Sequence, residues 1–180
     1  MRETIRAKVL DQSEILQLIK KLSSLRDQAF LCCLYLTGAR VSEAIQIKTE
    51  DVHNINGLTV IDVFTLKRKK GVPIRKIPLP KESEMTQIFL QWIEQCKKLG
   101  AKYVFHNAKN VNKPIKRCNA WKIVKKADAK LFPHLFRHYR LSHLAEKMNP
   151  SELMQFAGWS NLQPSGTYIH LSYQLLAKKV

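Results

Sequence analysis

The chain reads as a mainly α-helical domain with one small antiparallel β-sheet, an α+β class. Three observations carry this. Apolar residues recur at helical spacing near the N-terminus and again after residue 82. Residues 58–79 change period and are rich in β-branched side chains. Helix start and stop signals, among them Asp11 with Glu14, Gly38, Gly100 and Pro133, bracket the periodic segments. With 180 residues and 45% hydrophobic content, the chain is long and apolar enough for one domain with its own core.

Residues 1–10 are basic and unpatterned and read as a tail or linker; residues 11–180 read as the domain. Asp11 and Glu14 form a capping box, after which Ile15, Leu16, Ile19 and Leu22 share one helical face. A second helix runs from about Arg26 to Thr37 and stops at Gly38. Ser42 is expected to cap a short third helix carrying Glu43, Ile45 and Ile47. The run Leu58–Leu66 and the run Ile74–Leu79 predict two antiparallel strands, joined through the basic link Lys67-Arg68-Lys69-Lys70-Gly71. Helices resume at about Glu82–Leu99, Ile115–Ala129, His134–Lys147 and Ser151–Phe156, with a short one expected over Tyr173–Lys179. Repeats and low-complexity tracts are not visible.

The formal charge of +17, from 31 Lys and Arg against 14 Asp and Glu, favours a polyanionic partner, nucleic acid first. Cys32, Cys33, Cys96 and Cys118 form no C-x-x-C pair, and the adjacent two lie in the apolar run Phe30–Leu36. They read as buried thiols of a reducing compartment. A signal peptide and a membrane-length apolar run are both missing from the sequence, so an intracellular, soluble protein is expected.

The chemistry concentrates in four places. Arg40 follows a glycine-terminated helix and opens the next one, where a phosphate is welcome; Glu43 can hold its guanidinium. His134 and Arg137 are three apart on one helix and share a face. Trp159 follows Gly158, and its indole N–H is a donor without an acceptor. Tyr168 sits nine residues later in Gly166-Thr167-Tyr168-Ile169-His170. Each alone has a plain structural reading: a solvated Arg–Glu pair, a core tryptophan, a packing tyrosine. Together they are the groups that breaking a phosphodiester with a protein nucleophile requires. Guanidinium forks match the charge of the phosphate, tyrosine (reference pKa about 10) must lose its proton as it attacks, and another group must protonate the leaving oxygen. With arginines holding the phosphate, no step needs a metal. His134 and His138 have H-x-x-x-H spacing, but a convincing third ligand is lacking and Arg137 would repel a cation. His138 reads as structural, and His53, His106 and His143 as structural or exposed.

In order and spacing these motifs resemble the tyrosine recombinases of the phage integrase family, which carry T-G-x-R-x-x-E, a lysine on a β-hairpin, H-x-x-R-H, G-H or G-W, and Y-x-H. The matching residues are Arg40 with Glu43, the basic hairpin, His134 with Arg137 and His138, Gly158-Trp159, and Tyr168 with His170. The likeness runs from about residue 10 to the end. It implies the family's catalytic-domain fold and cleavage of double-stranded DNA by Tyr168, leaving a 3′-phosphotyrosyl link and a free 5′-hydroxyl. Arg40, Arg137, His134 and Trp159 are then phosphate ligands. It further implies rejoining without metal, ATP or other cofactor, and self-association into dimers or tetramers on DNA, with Leu171–Val180 as the candidate contact. The hairpin general acid is assigned to Lys67, from the ending Thr65-Leu66-Lys67; counting back from Pro78 selects Lys70 instead. Other cations of the basic face, Arg68, Lys69, Lys122, Lys125 and Lys126, are expected to contact phosphates.

Departures are few. Trp159 stands where the family usually has histidine, so a hydrogen-bond donor survives and a proton shuttle does not. Phe136 and Tyr139 replace the usual Leu and Thr. Family members usually carry a helical DNA-clamping domain ahead of this one, for which the chain has no room. Topoisomerase-like relaxation with the same residues, and a non-catalytic DNA-binding regulator, remain open as alternatives.

Overall fold

A computed structural model describes residues 9–65 and 74–169. Its centre is α2 (Leu25–Thr37). Every residue from Ala29 to Thr37 is buried, as expected of a helix that is apolar all round. Around it pack α1 (Gln12–Lys20), α4 (Glu84–Lys98), α5 (Arg117–Ala127) and α6 (Pro133–Ala145). The capping box at Asp11 forms as the sequence predicts: Asp11 Oδ1 accepts from the Glu14 N–H at 2.8 Å and Glu14 Oε2 from the Asp11 N–H at 2.8 Å. Pro133 occupies the first turn of α6.

The third helix, α3 (Val41–Ala44), starts two residues earlier than expected. Its N-cap is Arg40, not Ser42, because the Glu43 carboxylate takes the Arg40 N–H and so sets the start of the turn. The expected hairpin is β2 (Leu58–Phe64) against β3 (Ile74–Pro78), antiparallel, with Val63 opposite Arg75 and Ile61 opposite Ile77. The sequence reading missed β1 (Val52–Ile55), which pairs with β2 to make the sheet β1-β2-β3. The two are joined by Asn56-Gly57, both at positive φ (51° and 79°), a two-residue hairpin turn that Asn and Gly favour. It also missed the small ribbon of β4 (His106–Asn107) and β5 (Asn110–Pro114).

Two apolar clusters result. The larger surrounds α2; the smaller joins α6, α7 (Pro150–Ala157) and α8 (Gly166–Ile169) through Leu141, Leu144, Leu153, Ala157, Trp159 and Tyr168. Cys32, Cys33 and Cys96 are buried, and burial pushes the Cys33 thiol up to about 12 and that of Cys96 to about 11. Cys118 corrects the expectation: it is exposed, because the first turn of α5 faces solvent from Lys116 to Asn119. Among the described residues no helix is long and apolar enough to cross a membrane.

One buried charge bears on stability. Asp27, at the start of α2, takes hydrogen bonds from Arg26 Nη2 at 2.8 Å and Lys126 Nζ at 2.9 Å. Burial by itself raises its pKa, but the hydrogen bonds from Lys126 and Arg26 outweigh burial and hold the carboxyl below its ordinary value. A carboxyl with a depressed folded pKa contributes stability above its unfolded value, and that contribution fades as pH falls through the folded value. Asp27→Asn should therefore lower the unfolding free energy at neutral pH by about 1–3 kcal/mol and flatten the acid limb below about pH 4. Urea melts at a series of pH values check this.

Candidate functional site

The site lies where the C-terminal ends of α2 and α7 meet the middle of α6. Helix α2 stops at Gly38, which takes the left-handed conformation at φ 56°. A Cβ there would lie 3.2 Å from Phe156 Cε1, so the glycine lets the end of α2 pack closely on α7. The chain then extends through Ala39 into Arg40. Glu43 is buried and holds Arg40 twice: Oε2 accepts the backbone N–H at 2.9 Å and Oε1 accepts from Nη1 at 2.8 Å. The Arg40 side chain keeps 24% exposure, so the anchored guanidinium still meets solvent.

Arg137 is buried in α6. Its Nη1 donates to Gly38 O at 2.6 Å and its Nη2 to Ala157 O at 2.8 Å. Both acceptors are C-terminal carbonyls of helices, α2 and α7, which lack intrahelical partners and sit at the negative end of the dipole. A guanidinium has five N–H donors, so these two bonds fix the plane of the group and leave donors over. Burial first, then the neighbouring charges of Arg40 and Arg75, pull Arg137 down to about 9, against the opposing pull of Glu43 and Tyr168. It is charged at neutral pH, in a place where cations outnumber carboxylates and an added anion is welcome.

Tyr168 lies on α8, buried in the smaller apolar cluster. Its ring stacks on Trp159 (centroids 5.7 Å apart, 24° between planes) and lies 5.4 Å from the ring of His138. Burial raises the phenol pKa, and Arg137 partly offsets that rise. Trp159 follows Gly158, the left-handed C-cap of α7 at φ 67°. His138 is buried as expected of a structural histidine and its pKa is lowered by that burial, yet its ring contact puts it beside Tyr168. His134, one turn earlier on α6, is exposed. Lys67, Lys70 and His170, and the segment 171–180, lie outside the described residues. Among the described residues no group of three or more His, Cys, Asp and Glu side chains is placed to hold a metal ion.

Sequence reasoning missed Arg75. This buried strand residue donates through Nη2 to Glu43 Oε2 at 3.0 Å, through Nη1 to Phe156 O at 2.5 Å and through Nε to Thr65 Oγ1 at 3.2 Å. The strand alternation that buries Arg75 with Ile77 was the available signal.

The expected basic face is partly committed elsewhere. Lys125 donates to Ala129 O at 2.6 Å; Lys126, bonded to Asp27, and Lys122 line a groove with Arg26, Lys109 and Lys116.

A mostly helical domain with Arg40 and Arg75 on Glu43 and Arg137 beside a buried tyrosine, in this motif order, belongs to the phage integrase family, whose family model matches residues 8–174. Among curated proteins it is similar to the tyrosine recombinase XerD of Staphylococcus saprophyticus subsp. saprophyticus, 33% identical over 187 residues that cover 94% of this chain and 60% of that protein. The chain thus spans about 60% of the length of that relative. Its fold is that of the XerH site-specific recombinase bound to palindromic difH substrate in a post-cleavage complex, with a TM-score of 0.76 at 21% identity over 94% of this chain and 51% of that one. It is equally that of the XerA recombinase, with a TM-score of 0.75 at 21% identity over 94% of this chain and 62% of that one.

Proposed function

We propose that this chain is the catalytic domain of a site-specific DNA recombinase that cuts and rejoins strands through Tyr168. The observation that supports this most is a buried tyrosine, stacked on Trp159, within the field of Arg137, which itself lies within the field of Arg40 and Glu43. Tyr168 Oη attacks the phosphorus, the bond to the 5′ oxygen breaks, and a 3′-phosphotyrosyl bond forms. His134 joins the arginines on the phosphate, and its imidazole can instead take the phenol proton as Tyr168 attacks. The leaving 5′ oxygen takes a proton from Lys67, with Lys70 the alternative donor. Arg40, Arg137 and the Trp159 indole N–H bind the non-bridging oxygens, whose charge grows in the transition state. Attack by a 5′-hydroxyl reverses the sequence and restores the phosphodiester. The covalent bond conserves the energy of the phosphodiester, so the cycle needs neither ATP nor another cofactor.

The partner is double-stranded DNA inside the cell. Residues 11–180 act as the catalytic domain, and copies associate as dimers or tetramers on DNA, with segment 171–180 as the contact. A duplex carrying a nick next to the cleavage position tests the reading: the short fragment diffuses away and traps the adduct. A protein–DNA band that survives SDS supports strand cleavage, and none across a panel of recombination sites contradicts it.

Binding by this domain alone should be weak, little dependent on sequence, and strongly dependent on salt, because Lys109, Lys116 and Lys122 offer charge to phosphates and not a code for bases. Affinity should fall by about tenfold or more between low and physiological salt. Fluorescence anisotropy on unrelated duplexes across a salt series measures this; tight binding of a single duplex at physiological salt would place site recognition in the domain itself.

A further inference from the structure

We infer that Arg75 is a positioning residue of this site, holding Glu43 and through it the guanidinium of Arg40; the inference rests on the strand-cleavage reading above. Arg75 is on the inward face of β3, opposite Val63 and two residues from the buried Ile77. The fold alone asks for an aliphatic side chain there. A guanidinium in such a place loses its hydration and is tolerated only when paired and hydrogen-bonded. Arg75 meets that condition with donors from all three nitrogens, to Glu43, Phe156 and Thr65. Its nitrogens are directed at protein groups, which makes it a holder of the site and not a ligand of the phosphate.

The acceptors explain what is held. Glu43 divides its carboxylate: Oε1 faces Arg40 Nη1, and Oε2 takes both the Arg40 N–H and Arg75 Nη2. Two cations therefore pull the carboxylate from different sides. With Arg75 removed, Glu43 loses one of its two anchors and no longer holds the Arg40 guanidinium in one place. Phe156 O belongs to the last turn of α7, next to Ala157 O, which takes Arg137 Nη2. Thr65 directly follows β2 and is the last described residue before the segment that carries Lys67. One buried side chain thus ties the Arg40 segment, the end of α7 beside Arg137, and the base of the hairpin.

Gly158 fits the same design. A Cβ at this position would lie 2.7 Å from Arg75 Cδ and 2.9 Å from its Nε. The glycine before Trp159 is therefore needed twice, for its left-handed conformation and for the room it leaves Arg75.

The test is Arg75→Lys, which keeps the charge and loses the planar fork. Single-turnover cleavage of nicked DNA at saturating protein should fall by about ten- to a hundredfold, the scale of a small misplacement of a reacting group, while the Kd for DNA changes by less than about twofold because phosphate contacts elsewhere carry binding. In an Arg40→Ala background the same substitution should cost less than about twofold further, since residues that act as a unit are not additive. Gly158→Ala, which displaces Arg75 without removing it, should show the same loss of additivity with Arg40→Ala. Cleavage at the wild-type rate by Arg75→Lys, or an equal fold loss in both backgrounds, overturns the inference. A readout that needs no cleavage separates it from the functional reading: solvent exchange of the Arg40 guanidinium protons, followed by NMR. It should be slow in the wild type and faster in Arg75→Lys, and unchanged exchange overturns the inference. A wild-type chain that never forms an adduct overturns the functional reading, leaving the exchange result to decide the role of Arg75.

Discussion

Tyr168→Phe should abolish the covalent DNA adduct and leave DNA affinity within about twofold of the wild type, because binding is carried by cations. The substitution removes one oxygen and keeps the ring. Stacking on Trp159 at 5.7 Å and contact with His138 at 5.4 Å depend on that ring, so the smaller apolar cluster stays filled. Among the described residues no hydrogen bond runs through the hydroxyl, and the phenol is held largely away from water, which raises its pKa. Thermal stability should therefore be nearly unchanged. The rate loss should be complete, since nothing else in the ring is nucleophilic. Adduct formation by the variant at the wild-type level, read on a denaturing gel, would move the nucleophile to another residue.

Arg40→Ala and Arg137→Ala should each slow cleavage by roughly a hundredfold or more, the cost of losing a preorganised donor to a charged transition state. Their effects on stability should differ. Arg40 is partly exposed and bonded to one side chain, Glu43. Arg137 is 3% exposed and closes the C-terminal carbonyls of α2 and α7 with bonds to Gly38 and Ala157. Its removal leaves both carbonyls buried without that donor, so Arg137→Ala should also lower the unfolding free energy, by about 2–4 kcal/mol. Arg40→Ala leaves Glu43 its bond to Arg75 and should cost less. Single-turnover kinetics paired with urea denaturation resolve the two. Equal stability losses would mean that Arg137 does not bridge the helix ends as described.

Much of this was legible in the chain. The helix around Leu25–Thr37 announces itself by continuous apolarity and a terminal glycine, and the Arg40–Glu43 pair by its spacing across a helix start. The sheet was half legible. Its β2–β3 pair shows β-branched runs, but β1 contributes only four residues, and the Asn56-Gly57 turn that signals it was passed over. Arg75 was missed for a physical reason: it lies near a run of cations, Lys67 to Lys70, that reads as a solvated tip. Only the alternation Arg75, Ile77, Leu79 along the strand says that this cation turns inward. What it bonds to, 32 residues back at Glu43 and 81 residues on at Phe156, is tertiary and leaves no local trace. The same holds for His138. Its spacing from His134 is local, whereas its contact with Tyr168 depends on how α8 docks against α6.

Mapping the trapped adduct decides whether Tyr168 becomes covalently bonded to DNA. Protein captured on a nicked duplex is digested with trypsin and nuclease, and the modified peptide is sequenced by mass spectrometry. A single nucleotide-bearing peptide is expected, with the DNA joined to Tyr168 through its 3′-phosphate and the released strand ending in a 5′-hydroxyl. A nucleotide on any other residue, or a link through a 5′-phosphate, would contradict it.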